Sequence, residues 1–159
     1  MSFGRTKGTI YVCWNNPNAV PAEVLLWVEN AVARTWEAYS AIDFVDRGPC
    51  SDSDTGVRIT IADVQPNAAI GDSVISLQTS MKLNFTFRNW GCSDGTGNVI
   101  PCTFPNGTQQ WTRQDFVEMI AVHEFGHTLG FSHEQNRPGT PSSCTANPQG
   151  DDGTVMIGA

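Results

Sequence analysis

The sequence predicts an α+β fold: a twisted mixed β-sheet with a backing helix and a second, chemistry-bearing helix packed on it. Three observations predict it. Short β-rich runs recur in the first ninety residues, with apolar and polar positions alternating at residues 56–64 and 81–87. Two segments, 21–39 and 112–129, instead repeat their apolar residues at helical spacing. The order strand, helix, strands, helix then suits one sheet with both helices laid against it.

Residues 9–14 (TIYVCW) form the first strand, ending at the turn Asn15-Asn16-Pro17-Asn18. The backing helix spans residues 21–39. Pro21 is tolerated in its first turn, and Glu23 suits the positive end of its dipole. Leu25, Val28, Val32, Trp36 and Tyr39 make one apolar stripe, widened by Val24, Trp27 and Ala31, so Trp27 and Trp36 read as core anchors. Residues 42–45 are a second strand, and residues 46–55 a polar, turn-rich loop. The β-branched run at 56–64 (GVRITIADV) is the third strand. A further edge strand is expected within residues 74–78. In residues 81–87 (MKLNFTF), Met81, Leu83, Phe85 and Phe87 alternate with polar residues, as in a strand with one buried face.

The last helix, residues 112–129, has Thr112 as N-cap with Asp115 three positions on, resembling a capping box. Phe116, Ile120, His123 and His127 follow along one stripe. This helix carries the chemistry. All three histidines of the chain fall in the run HEFGHTLGFSHE, which has the form H-E-x-x-H-x-x-G-x-x-H. Residues four apart on a helix are offset by only about 40°, so His123 and His127 can reach one ion. Glu124 sits roughly 100° round from His123 and is placed beside the metal, where a carboxylate can take a proton from water. Gly130 stands where the chain must leave the helix, and glycine accepts a left-handed C-cap. The turn brings His133 back to the ion. A helix packed for structure alone needs neither that glycine nor a third histidine, and burying three imidazoles together carries a desolvation cost.

These residues resemble the signature of the metzincin metallopeptidases. The stretch from His123 to Glu134, followed by Gln135-Asn136-Arg137-Pro138, is most similar to the astacin-like branch. The close likeness covers residues 120–138. It implies that His123, His127 and His133 bind one catalytic zinc and that Glu124 is the general base. It also implies a cleft between sheet and helix whose edge strand takes up extended peptide. Phe131 and Ser132 either line that cleft or pack the turn. In astacins the residue matching Glu134 helps to anchor the mature N-terminus.

At 159 residues the chain is long enough for one domain with its own core. Residues 1–159 are read as a single catalytic domain, with a sheet-and-helix subdomain at 1–130 and the start of a C-terminal subdomain at 131–159. Nine basic against sixteen acidic residues give a net charge of −7, which argues against nucleic acid or an anionic membrane as partner. No apolar run is long enough to cross a membrane. The expected partner is a peptide or protein substrate, and a monomer is expected.

The five cysteines contain no Cys-x-x-Cys pair, so a disulfide framework in an oxidising compartment is the better reading, and secretion is expected. Cys92 and Cys102 flank a turn-rich segment, which makes a local bridge natural. Cys13, near the first strand, and Cys50, after the second, are available for a second, which would leave Cys144 over; spacing does not fix the connectivity. No signal peptide is visible in MSFGRTKGTIYV. Metzincins place a Met-turn after the third histidine, and in astacins a tyrosine follows it. Here only Met156 follows His133, and both tyrosines, Tyr11 and Tyr39, precede it. The C-terminal subdomain is therefore read as incomplete, with the Met-turn and a partner for Cys144 expected beyond Ala159; the alternative makes Met156 the Met-turn residue. Three acidic turns, Asp52-Ser53-Asp54, Asp94-Gly95-Thr96-Gly97-Asn98 and Asp151-Asp152-Gly153, offer oxygens to calcium but match no EF-hand, so solvated turns are favoured. Asn84-Phe85-Thr86 and Asn106-Gly107-Thr108 are sequons for N-glycosylation.

The expected activity is zinc-dependent endopeptidase hydrolysis of peptide bonds. Two alternatives stand beside it: a catalytically silent zinc-binding module, and a hydrolase of another amide or ester. An intact Glu124 argues against the silent module, which has no use for a base.

Overall fold

The protein's structure, a computed structural model, describes residues 8–71, 73, 77–94, 96, 98–102 and 112–133. Strand β1 (Gly8–Trp14) has parallel neighbours on both sides. β2 (Ile42–Pro49) sets Ile42 opposite Gly8 and Asp46 opposite Val12, and β3 (Val57–Ile61) sets Val57 opposite Val12. β4 (Asn67–Ala68) and β5 (Met81–Leu83) complete the sheet. β5 runs parallel to β3 and β4 antiparallel to β5, giving the order β2-β1-β3-β5-β4. The described residues are thus mixed α/β, with a five-stranded, mostly parallel sheet and two α-helices. Parallel neighbours require a crossover, and α1 (Ala22–Val32) supplies the one between β1 and β2. A two-stranded hairpin, β6 (Cys92–Ser93) and β7 (Val99–Ile100), stands apart from the sheet.

One face of the sheet is apolar. Val12, Trp14, Val57, Ile59, Ile61, Met81 and Leu83 are buried in a single cluster with Val24, Val28 and Val32 of α1. Phe116, Val117, Ile120, Ala121 and Phe125 of the second helix, α2 (Arg113–Thr128), belong to the same cluster. The period-2 pattern of the strands and the 3.6-residue pattern of the helices meet there. Arg58, one step out of phase on β3, is buried through hydrogen bonds to the carbonyls of Ser51 (2.7 Å) and Gln78 (3.2 Å).

The structure changes several sequence expectations. β2 continues through Asp46-Arg47-Gly48-Pro49, residues read from the sequence as loop. Pairing with β1 overrides their low strand propensity, and Pro49 is acceptable because β2 is an edge strand. Cys50 N–H donates to Trp14 O (2.9 Å) just beyond, beside the Cys13–Cys50 disulfide. Cys92–Cys102 is the local bridge expected from spacing, and Cys13–Cys50 is the second pairing the sequence left open. The edge strand expected within 74–78 falls mostly outside the described residues, and Leu77 and Gln78 are not in a strand. The edge beside β5 is β4, two residues too short to show in the sequence.

The expected long strand at 81–87 stops at Leu83. Phe85 and Phe87 are buried as the alternation required, but by a turn. The Asn84 side chain takes the place of a strand partner. Its Oδ1 accepts from Thr86 N (3.0 Å) and Phe87 N (2.8 Å), and its Nδ2 donates to Asp63 Oδ1 (3.1 Å) and Val64 O (3.0 Å). Asp63 also accepts from the backbone of Arg88 (2.9 Å) and Asn89 (3.2 Å). Short polar side chains of this kind offer the backbone an alternative to ladder pairing.

The backing helix is helical to Tyr39, but over Ala33–Glu37 it widens into a π-helical turn. Thr35 Oγ1 donates to Ala31 O there (2.6 Å). Such a turn slips the following residues round the axis by about one position, ~100°. Tyr39 therefore leaves the predicted stripe and is 91% exposed.

The acidic turns satisfy their own carboxylates. Asp54 accepts from Ser51 N (2.6 Å) and Oγ (2.8 Å). The Asp94 carboxyl is pulled down to about 2, first by the Thr96 hydroxyl and then by the Thr96 N–H and the Asn98 amide. Asp151, Asp152, Gly153, Asn106, Cys144 and Met156 lie outside the described residues, as does Glu134. No helix among the described residues is long and apolar enough to cross a membrane. Two disulfides suit an oxidising environment.

Candidate metal centre

α2 is fixed at both ends. At its start the expected capping box is complete: Asp115 N–H donates to Thr112 Oγ1 (3.2 Å), and Thr112 N–H donates to Asp115 Oδ2 (2.7 Å). Arg113 Nε donates to Phe85 O (2.7 Å), tying the first turn to the Asn84 turn. Midway, Glu118 accepts from Arg34 of the backing helix and from Gln114 Nε2 (2.8 Å). Burial pushes the Glu118 carboxyl up, but the hydrogen bonds from Arg34 and Gln114 and the Arg34 charge outweigh it and hold the carboxyl below its usual value. The Glu118 hydrogen bond raises Arg34 in turn.

At the other end Gly130 has φ +95°, the left-handed conformation expected from the sequence. Gly130 N–H donates to His127 O (2.8 Å) and Phe131 N–H to Gly126 O (3.1 Å), the paired bonds of a Schellman ending. A Cβ on Gly130 would touch nothing within 4 Å, so the backbone angle alone selects glycine. The reversal carries residues 131–133 back along the helix end.

It brings His133 to the other two histidines. His123 Nε2 lies 2.9 Å from His133 Nε2, and His127 Nε2 lies 3.1 Å from each of them. These three nitrogens can all lie within metal–imidazole bonding distance, about 2.0–2.1 Å, of one common point. His127 Nδ1 is 2.7 Å from Phe131 O, and a carbonyl only accepts, so Nδ1 carries the proton and Nε2 presents its lone pair.

The three nitrogens cannot satisfy one another. In a triangle of three groups, each either donor or acceptor, at least one contact pairs like with like. A single cation satisfies three lone pairs at once. The three histidines can hold a metal ion, and among the described residues this is the one group of His, Cys, Asp or Glu side chains so gathered.

His127 and Glu124 are buried, at 9% and 5% exposure, while His123 and His133 are half-buried. All four line an open recess of about 70 Å³ together with residues 65–68 and Ile70. Those residues were not found from the sequence, because a short connection with no periodicity carries no signal of facing a site. Phe131 packs the turn: its ring stacks on Trp36 with centroids 5.4 Å apart and planes at 21°. Ser132 is exposed.

Comparison with protein-family models, with curated proteins and with solved structures found no match to this chain.

Proposed function

We propose that the protein is a zinc-dependent endopeptidase of metzincin type, resembling the astacin-like branch. The observation that carries this reading is the convergence of three imidazole Nε2 atoms, 2.9–3.1 Å apart, in a recess that Glu124 also lines. Three neutral imidazoles with a neighbouring carboxylate are the donor set of a catalytic zinc site, in which three protein ligands leave one coordination position open. Calcium would call for oxygen ligands instead.

When bound, zinc supplies Lewis acidity, making water nucleophilic near neutral pH and polarising the scissile carbonyl. Glu124 takes the proton from the attacking water as its oxygen bonds to the carbonyl carbon. As the C–N bond breaks, Glu124 delivers that proton to the departing amine. His127 keeps its Nδ1 proton on Phe131 O throughout, which holds the ring and its tautomer fixed. β4 is the terminal strand of the sheet, and residues 65–68 border the recess. An extended peptide adding to that edge would lay a carbonyl across the site. The two disulfides support secretion into an oxidising compartment.

The test combines metal analysis with an assay on an unfolded protein substrate. The wild type should carry one zinc and cleave the substrate, with cleavage abolished by a chelator and restored by zinc. Glu124→Ala should keep the metal and lose at least ~100-fold in turnover, within the range for a general base. Zinc without cleavage would favour a silent binding module. Cleavage only of small amides or esters would favour a different hydrolase. Undiminished zinc in His127→Ala protein would refute the ligand assignment.

A further inference from the structure

We propose that Trp36 is a positioning residue of the metal centre, through which the backing helix sets where the ligand histidines stand. The proposal rests on His123, His127 and His133 being metal ligands. Trp36 sits in the π-helical turn of that helix, 86 residues before Val122, whose carbonyl its indole reaches.

Three contacts run from this side chain toward the centre. Its Nε1 donates to Val122 O at 2.8 Å, holding the backbone of α2 one residue before His123. Its ring edge lies against Gly126, where a Cβ would come within 3.0 Å of Trp36 Cζ2, so the indole occupies the space of a side chain one residue before His127. Its ring stacks on Phe131, whose carbonyl accepts from His127 Nδ1 at 2.7 Å and which precedes His133 by two residues. One rigid ring thus bears on the backbone before each helix histidine and on the segment that returns the third.

Phe131 makes the arrangement informative. It is 57% exposed, so burial alone does not hold it, and it lies on the only described connection between the helix end and His133. The stack on Trp36 fixes the ring, the His127 bond fixes the carbonyl, and together they set the approach of the third ligand. Outer partners that orient metal-bound histidines commonly change affinity by about 10–100-fold when removed. The π-helical turn is part of the device, because it displaces Trp36 from the register of a regular helix.

The experiment measures zinc affinity of the metal-free protein by competition with a chromogenic chelator, together with the visible absorption of the cobalt(II) form. Trp36→Phe keeps an aromatic face but removes the N–H donor, Trp36→Leu removes both, and Phe131→Ala removes the stack at an exposed position. Leu26→Ala, exposed on the same helix, is the control. We expect affinity about tenfold weaker in Trp36→Phe and Phe131→Ala, and approaching ~100-fold weaker in Trp36→Leu. The cobalt spectrum should change in all three variants and not in the control. A purely structural role would lower the urea midpoint of the metal-free protein and leave both readouts of the folded fraction as in wild type. Wild-type affinity and spectrum in both Phe131→Ala and Trp36→Phe would overturn the proposal while leaving the zinc site standing. A wild-type protein that takes up no zinc would overturn the site itself, and this inference with it.

Discussion

Arg34→Met probes the junction between the two helices. In the wild type Arg34 donates to the Glu118 carboxylate, whose side chain is 8% exposed, whereas the arginine side chain is 58% exposed. Removing one partner of a fully buried ion pair costs about 3–5 kcal/mol, and an exposed pair contributes about 0–1. The carboxylate is on the buried side of that scale and the guanidinium on the exposed side. Gln114 Nε2 remains as a donor at 2.8 Å, so we expect a loss of about 2 kcal/mol at pH 7.

The pH dependence gives the sharper test. The folded Glu118 carboxyl lies below its unfolded value, so its stabilisation is fully present above the unfolded pKa and is lost as pH falls through the folded one. In Arg34→Met the burial that pushes the carboxyl up persists, as does repulsion from Asp115, while the opposing arginine is gone. Mutant Glu118 should therefore protonate at higher pH, and protonation relieves the buried charge. The difference between the proteins should shrink from about 2 kcal/mol at pH 7 as the pH falls below the usual glutamate range, and should be smallest once the pH has passed the lowered folded value of wild-type Glu118. Urea unfolding of the metal-free proteins at a series of pH values measures this directly. A difference that stays constant, or grows in acid, would show that Arg34 acts through packing of its stem and not through the Glu118 charge.

Two further outcomes follow from the same frame. Thr112→Ala should cost about 1 kcal/mol by opening the capping box, read as a lowered urea midpoint with the m-value unchanged. Replacing Cys13 and Cys50 together by alanine releases a separation of 37 residues, against 10 for Cys92 and Cys102; loop-closure entropy then predicts losses of about 4 and about 3 kcal/mol. The reverse order in thermal unfolding would mean that the hairpin bridge acts by more than chain entropy.

The site was far more legible in the sequence than the sheet that supports it. His123, Glu124, His127, Gly130 and His133 lie within eleven residues, and their geometry follows from helical rotation and one glycine. Local spacing sufficed because the contacts are local. The capping box and the Cys92–Cys102 bridge were legible for the same reason. Cys13–Cys50, 37 residues apart, was suggested only by where the two cysteines fall beside the first two strands. Long-range pairing was not legible. Asp46 to Pro49 join a strand only because β1 lies alongside, and β4 exists only because β5 offers it partners. The Asn84 turn reads as strand because its alternation is correct, and only Asp63, 21 residues away, completes the other outcome. Trp36 read as a core anchor from its stripe; its hydrogen bond to Val122 depends on how two helices pack, which periodicity does not encode.

Asn84 also constrains how the chain matures. It heads a sequon, yet its side chain is 1% exposed, and both amide hydrogens are engaged, by Asp63 and Val64. A sugar on that nitrogen would replace a donor and demand room in a turn whose next residues, Phe85 and Phe87, are buried. A nascent chain exported through a glycosylating secretory route therefore faces a race at Asn84. Closure of the turn hides the acceptor, whereas prior attachment of a glycan bars the turn and with it the Phe85 carbonyl as the seat of Arg113. A chain folded in this way leaves no room for a glycan on the Asn84 amide.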